Sequence, residues 1–228
     1  MNIAIIPARG GSKRIPRKNI KEFHGKPIIA CSIETAIKAK CFDKVIVSTD
    51  DPEIQRVARH YGATCDYLRP DALSDDFVGT TEVVKYEVQN LIDLGFDLDV
   101  VAEIYATAPL MRPRFLKKAL ALLTSSPESS YVFSAVEFEY PVQRGFQIVE
   151  TACVALDEDS FHMRSQDLSP TYHDAGQFYL ASCQTWLSRE FRFDKFSIPM
   201  LLPREYVIDI DNESDWKIAE AIAAYHRE

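Results

Sequence analysis

The chain has none of the covalent or metal staples that hold small folds together. Its five cysteines, Cys31, Cys41, Cys65, Cys153 and Cys183, are scattered, with no CxxC pair and no short spacing. An odd count argues against a disulfide framework, and such separations do not make a zinc site. They read as reduced, mostly buried thiols of a cytoplasmic protein. No apolar run approaches the roughly 20 residues that span a bilayer, so no membrane partner is expected. The run before Pro7, Ile3 to Ile6, is too short for a secretory leader. Repeats, low-complexity tracts and linkers are absent as well, and a chain of 228 residues that is 46% hydrophobic can bury a sizeable core. Positive charge is scarce: 26 Lys and Arg against 34 Asp and Glu leave a net charge of -8. That balance excludes general nucleic-acid binding, which needs a broad basic surface.

What positive charge there is gathers in one place. Arg9, Lys13, Arg14, Arg17, Lys18 and Lys21 fall within thirteen positions that hold no acid. Without them the chain has 20 bases against 34 acids, or -14. The segment also holds Gly10, Gly11 and Ser12, and it directly follows the apolar run. Clustered bases, glycines and a serine straight after a strand suit a polyphosphate. Arg and Lys supply charge, and backbone N–H groups freed by the glycines can point at phosphate oxygens. A solvated basic loop is the other reading of the same pattern.

The first half alternates strand-like runs with amphipathic helices. Strands are expected at Ile3–Ile6, Val45–Thr49, Val100–Tyr105 and Tyr131–Val136, and helices at Ile28–Lys40, Glu53–Tyr61, Thr80–Leu94 and Arg114–Leu123. Pro52 suits a first helical turn. This order implies an α/β fold with a mostly parallel central sheet and helices on both faces. From Glu137 to His173 the alternation fails, and a stretch of that length without clear elements is read as an inserted arm. Strand character resumes at Phe178–Ser182. A last strand at Val207–Ile210 and a last helix at Ser214–His226 follow, with Asn212 and Asp215 as its cap. One domain over residues 1–228 with an inserted arm at about 137–173 is the expected organisation.

Several residue groups could carry chemistry. In Val207-Ile-Asp-Ile-Asp211 strand alternation puts Asp209 and Asp211 on one face, about 6.6 Å apart, with Ile208 and Ile210 turned to the core. Two carboxylates there suit magnesium held jointly with phosphates. An isolated D-x-D is weak evidence, and its value comes from sharing a chain with a phosphate loop. Arg69 could hydrogen-bond a base carbonyl. Thr80 could cap a helix or donate to a ligand, and either residue could simply be structural. Thr171 to Tyr179 could line a sugar pocket, with His173 as an acid or base.

With these residues in view, PARGGSKRIPRKN resembles the N-terminal signature of the CMP-sialate-type cytidylyltransferases, A-R-x-x-S-K-x-x-x-x-K-N, at Ala8, Arg9, Ser12, Lys13, Lys18 and Asn19. The likeness continues through Val45–Asp51, Arg69–Asp76, Thr107–Pro113 and Ile208–Asp215, in order along nearly the whole chain. It implies a Rossmann-like nucleotide-diphospho-sugar transferase fold whose arm serves dimerisation. It also implies a homodimer that acts on CTP and a nonulosonic acid with magnesium. Arg9, Ser12 and Lys18 would hold the triphosphate, helped by Ala8, Gly10, Gly11, Arg14 and Asn19. Arg69 and Thr80 would read cytosine, and Asp209 and Asp211 would hold the metal. Arg9, Lys18, Asp209 and Asp211 would carry catalysis.

The second half bears on the sugar. Where members acting on N-acetylneuraminate typically carry L-Q-P-T-S-P-L-R and R-P-N-G, this chain has Ile104-Tyr-Ala-Thr-Ala-Pro-Leu-Met-Arg112 and His173-Asp-Ala-Gly176. Tyr105 stands for the glutamine, His173 for an arginine and Ala175 for an asparagine, which points away from N-acetylneuraminate. The stretch from Arg164 to Tyr179 resembles members that act on pseudaminic acid. Tyr105, Arg112, Arg164, Gln166, His173, Gln177 and Tyr179 are therefore the expected sugar contacts. N-acetylneuraminate and legionaminate remain alternative substrates. A metal-dependent glycosyltransferase or a nucleotide-sensing scaffold would share the D-x-D or the fold but would not need so many cations for a free triphosphate.

Overall fold

The computed structural model describes residues 1–75 and 78–226. Asp76, the last residue of the Arg69–Asp76 match, lies outside them. In chain order the elements are β1 (Ile3–Pro7), β2 (Glu22–Phe23), β3 (Lys26–Pro27), α1 (Ile28–Ala39), β4 (Lys44–Ser48) and α2 (Pro52–His60). Next come α3 (Thr80–Asp93), β5 (Val100–Ile104), α4 (Pro113–Ser125), β6 (Tyr131–Glu137), β7 (Phe146–Val149) and β8 (Ala152–Ala155). The chain closes with α5 (Glu158–Phe161), β9 (Tyr172–Ser182), α6 (Cys183–Ser188), β10 (Ser197–Leu201) and α7 (Glu213–Tyr225).

Six strands form one sheet in the order β10-β6-β9-β5-β1-β4. Every pairing is parallel except the two made by β9, which runs antiparallel between β5 and β6. Strands buried on both faces are built mainly from apolar residues; β1 reads that way throughout, and β5 does so except at Glu103. One face packs on α1, α2 and α4 through Ile29, Ile33, Ile54, Val57 and Leu116. The other packs on α3 and α6 through Val84, Val88, Leu91 and Trp186. The mostly parallel, doubly covered sheet is therefore as expected.

Local chemistry sets the helix starts. Asp51 caps α2 by accepting from the N–H groups of Glu53 and Ile54 at 2.8 and 3.0 Å, with Pro52 in the first turn. Asn212 caps α7, and Asp215 returns a bond to the Asn212 N–H at 2.9 Å, completing a capping box. Both aspartates and the asparagine are explained by these caps.

Four expectations are corrected. Val207–Ile210 is extended but not a strand. It has no strand beside it, the Ile210 carbonyl accepts from Lys18 Nζ at 2.7 Å, and the Asp211 N–H donates to Asp215 at 2.8 Å. The alternation survives, since Ile210 is buried with Trp216 and Phe23 while Asp209 faces out. The arm is not structureless: β7 and β8 make a hairpin, with Phe146 opposite Ala155 and Val149 opposite Ala152, turned at Glu150 in the left-handed region. β9 begins at Tyr172, inside the expected arm, because Tyr172 and His173 pair with Glu137 and Val136. Finally, the strand β10, whose alternation is interrupted by Pro199, was not expected. It lies at the sheet edge, where a proline is tolerated.

Candidate functional site

β1, β4 and β5 run parallel, so their C-terminal ends open on one side. From β1 the chain steps to β4 on one flank, and β5 then pairs on the other. The crevice of an open parallel sheet lies at such a reversal. A cavity of about 740 Å³ occupies it. Its floor and one wall come from Ala8, Arg9, Ser12, Lys13, Arg14 and Lys18 of the loop after β1. Arg69, Val78, Gly79, Thr80 and Val83 form a second wall, Tyr105 to Thr107 a third, and Asp211 reaches the rim. Cations and apolar walls thus share one enclosure, as a nucleotide requires.

The loop is held in place by its own polar groups. Arg17 adopts left-handed backbone (φ 56°) and turns its guanidinium onto Asp51 and, at 2.6 Å, Glu53. The hydrogen bond from Arg17 is the largest influence holding the Asp51 carboxyl below its ordinary range. Gly10 N–H donates to Asp50 Oδ1 at 3.0 Å. A Cβ at Gly10 would stand 2.6 Å from Asp51 Oδ2, so only glycine allows the approach. Asn19 Nδ2 donates to the Arg9 carbonyl at 2.9 Å, and Arg9 Nη1 donates to the Asp75 carbonyl at 3.1 Å. Gly10 therefore shapes the loop, and neither Gly10 nor Gly11 lines the cavity.

The acids and bases meet at the far end. Arg14 Nη2 lies 2.7 Å from Asp211 Oδ1. Lys18, half-buried, is tied to Ile210, and burial lowers its pKa against the pull of Asp211 and Asp209. Partial desolvation raises the Asp209 carboxyl, and the charge of Asp211 pushes it further the same way. Among the described residues no group of three or more His, Cys, Asp or Glu is arranged to hold a metal. A pair of hard carboxylates is nevertheless the donor set with which magnesium is held when phosphates and water complete its shell. The crowding of two like charges at Asp209 and Asp211 is what a divalent cation relieves, so these residues fit the ion.

The expected nucleotide residues fall together: Ala8, Arg9, Ser12, Arg14, Lys18, Asn19, Arg69 and Thr80 all line the cavity. Arg69 is buried, donates to the Ser48 carbonyl at 3.2 Å and to Ser74 Oγ at 3.1 Å, and lies 3.9 Å from Asp50. Gly79 is the cap of α3, and Thr80 is its first helical residue rather than its cap. The expected sugar residues do not gather in the same way. Of them Tyr105 alone lines the cavity. Arg112 lies over the Tyr206 ring, and buried Gln177 donates to the Tyr206 carbonyl. Tyr179 donates to Asp174, and His173 lines a separate cavity of about 290 Å³ with Tyr172, Phe133 and Phe193. Arg164 and Gln166 are exposed on the arm. One contributor was missed in the sequence: Arg17 was counted only as charge, and its clamp on Asp51 positions the loop.

A family model described as cytidylyltransferase matches residues 3–217. The chain is 44% identical to the pseudaminic acid cytidylyltransferase of Campylobacter jejuni, over 100% of this chain and 98% of that one. It is 36% identical to a Helicobacter pylori protein described as pseudaminic acid cytidylyltransferase and UDP-2,4-diacetamido-2,4,6-trideoxy-beta-L-altropyranose hydrolase, over 96% of this chain and 42% of that one. Among solved structures, a CMP:2-keto-3-deoxy-manno-octonic acid synthetase complexed with CTP superposes with a TM-score of 0.73 at 16% identity, covering 99% of each chain. That likeness is one of fold.

Proposed function

The chain belongs to the cytidylyltransferase family, and from that premise we propose that it transfers CMP from CTP to the anomeric 2-hydroxyl of pseudaminic acid, releasing pyrophosphate. The observation that carries this reading is the convergence of the basic loop, Arg69, Thr80 and Asp211 on one cavity. The identity to the Campylobacter jejuni and Helicobacter pylori relatives supports the choice of sugar.

In this reading the work divides as follows. Arg9, Ser12, Arg14 and Lys18 take the β- and γ-phosphates, and Arg69 and Thr80 take the base. The sugar hydroxyl attacks the α-phosphorus in line, a new P–O bond forms, and the bond to the β-phosphate oxygen breaks. The cations of the loop stabilise the departing pyrophosphate, so positioning and electrostatics supply most of the acceleration. Asp209 and Asp211 would hold magnesium, which when bound draws charge from the phosphate oxygens.

All the expected sugar contacts but Tyr105 lie apart from the chain's own cavity, and this supports a homodimer. Phe146, Ile148, Val149, Val154 and Leu156 of the hairpin are all about half exposed or more. Apolar groups concentrated on one projecting hairpin are a surface for a second subunit. In that arrangement Arg164 and Gln166 would serve the partner's cavity. Five free cysteines support a cytoplasmic location, and among the described residues no helix is long and apolar enough to cross a membrane.

The test is pyrophosphate release with CTP, UTP or ATP against pseudaminic, legionaminic, N-acetylneuraminic and 3-deoxy-manno-octulosonic acids, with magnesium and with a chelator. Release should require CTP, magnesium and a nonulosonic acid. Release from a nucleotide other than CTP, or none with any sugar, overturns the reading.

A further inference from the structure

α3 packs on the sheet through Val84, Val88 and Leu91, and in the same buried row stands Glu87, 1% exposed. An aliphatic residue would sit there at less cost, since a buried carboxyl must be given hydrogen bonds. Glu87 has them on both oxygens. Oε1 accepts from Ser48 Oγ at 2.6 Å, and Oε2 accepts from the Tyr67 hydroxyl, whose own oxygen accepts from Asn90 Nδ2 at 2.7 Å. Burial raises the Tyr67 phenol and the bond to Glu87 raises it further, so it stays a donor. What the two partners have in common accounts for the glutamate.

Ser48 ends β4, and its carbonyl accepts from Arg69 Nη1 at 3.2 Å. Tyr67 lies just ahead of Arg69 in the chain. That segment is bonded to β4 at Thr64, through Val45 and Val47, and again at Arg69, whose N–H donates to the Thr49 carbonyl at 2.8 Å. Between those points no backbone bond among the described residues joins it to β4. Gln55 and Arg59 of α2 hold the carbonyls of Cys65 and Asp66, and Glu87 holds the Tyr67 side chain. Glu87 thus grips both stretches of chain that set where the Arg69 guanidinium stands. Arg69 lines the nucleotide cavity, and Glu87, Ser48 and Tyr67 do not.

We propose that Glu87 is a positioning residue for Arg69: by holding Ser48 and Tyr67 it fixes that guanidinium at the base end of the cavity, so that affinity for the base depends on a side chain that does not touch the ligand. This rests on the reading of the cavity as a CTP site with Arg69 at the base. Arg69 is itself buried, and Ser74 Oγ and the Ser48 carbonyl take two of its five N–H groups. Asp50 lies 3.9 Å away, beyond hydrogen-bond length. Asp50 and Glu87 both act on Arg69 as charges, so they balance it without occupying an N–H. A direct ion pair would have taken the donors that a base carbonyl needs.

The phosphate end is anchored elsewhere. The loop after β1 is held by Arg17 on Asp51 and Glu53 and by Asn19 on the Arg9 carbonyl, bonds made without Glu87 or Tyr67. The Ala8 N–H also donates to the Ser48 carbonyl at 2.9 Å, but this continues the backbone ladder of β1 and β4 and does not use the Ser48 hydroxyl. Loosening Glu87 should therefore weaken the hold on the base and leave the hold on phosphates. A contribution to folding alone would lower both in proportion, because it acts through the folded fraction.

The experiment measures binding of CTP and of inorganic tripolyphosphate by calorimetry for the wild type, Glu87→Gln, Tyr67→Phe, Arg69→Ala and the double variant Arg69→Ala/Glu87→Gln, with melting curves to confirm folding. Glu87→Gln keeps the volume, removes the charge and leaves one acceptor oxygen for two hydroxyls. Its CTP affinity should fall about tenfold, the scale of one lost charge-assisted hydrogen bond, while tripolyphosphate affinity stays within about twofold of wild type. In the Arg69→Ala background the same change should lower CTP affinity no further, because the residue it positions is gone. Tyr67→Phe should weaken CTP binding about threefold and spare tripolyphosphate, which keeps the test intact if Glu87→Gln does not fold. Equal losses for the two ligands, no loss for CTP, or an undiminished Glu87→Gln loss without Arg69 overturns the proposal. So does a wild type that holds tripolyphosphate as tightly as CTP. Pyrophosphate release in the same samples reads the function separately: the expected binding pattern without release from any sugar would overturn the cytidylyltransferase reading and leave the role of Glu87 standing.

Discussion

Glu103 and Asp209 both hold carboxyls above the ordinary range, the first by burial and neighbouring acids, the second by partial desolvation and Asp211. A carboxyl raised in the fold binds its proton more tightly there than in the unfolded chain. Its contribution to stability is fully present below the ordinary carboxylate range and is lost as pH rises to the folded pKa. For Glu103 that window runs from the ordinary value to about 7. Glu103→Gln should therefore be more stable than wild type at pH 8, by roughly 3 kcal/mol, with the gap closing at pH 5. Denaturant unfolding at the two pH values measures this, and an equal gap at both would contradict the buried-acid account. Asp211 carries a different expectation. It is partly exposed and paired with Arg14, so Asp211→Ala should keep the fold while pyrophosphate release falls below detection. Near-normal release in magnesium would remove Asp211 from the site.

At the scale of elements, the loop after β1 decides whether phosphates are held. Gly10 and Gly11 are adjacent but not equivalent. An alanine Cβ at Gly10 would press on Asp51, whereas at Gly11 nothing lies within 4 Å. Gly10→Ala should disturb the Arg17–Asp51 clamp at a cost of about 1–3 kcal/mol, raising KM for CTP tenfold or more. Gly11→Ala should behave as wild type, and equal defects in both would mean that the clamp does not position the loop. The loop itself was legible because six bases without an acid cannot be packed away. The cap of α7 was legible because Asn212 and Asp215 carry their own local geometry. Val207–Ile210 was misread because alternation reports which side chains are buried and not whether a neighbouring strand exists to pair with. The hairpin β7–β8 was missed because its residues are exposed on both faces, so no burial pattern is written into them.

The whole molecule carries its apolar excess on the arm, where Ile148 is 73% exposed. A dimer at micromolar concentration is expected by light scattering, and a charge placed on the hairpin by Ile148→Asp should shift it toward monomer. A wild-type monomer under those conditions would contradict the assembly. The sugar residues were the least legible part of the site. Arg112, Gln177 and Tyr179 meet partners within the chain, and Arg164 and Gln166 project on the arm, so sequence order alone could not say which cavity they serve. The sugar itself is discriminated by chemistry that differs little in volume. Pseudaminic acid carries two acylamino groups and a terminal methyl, where N-acetylneuraminate presents a hydroxyl-bearing tail. Burying one methyl contributes only about 1 kcal/mol, so stronger rejection must come from tail hydroxyls left unpaired. The most direct measurement is kcat/KM for pyrophosphate release from CTP with each sugar. A value with pseudaminic acid about a hundredfold or more above that with N-acetylneuraminate is predicted, and comparable values for the two would contradict the assignment.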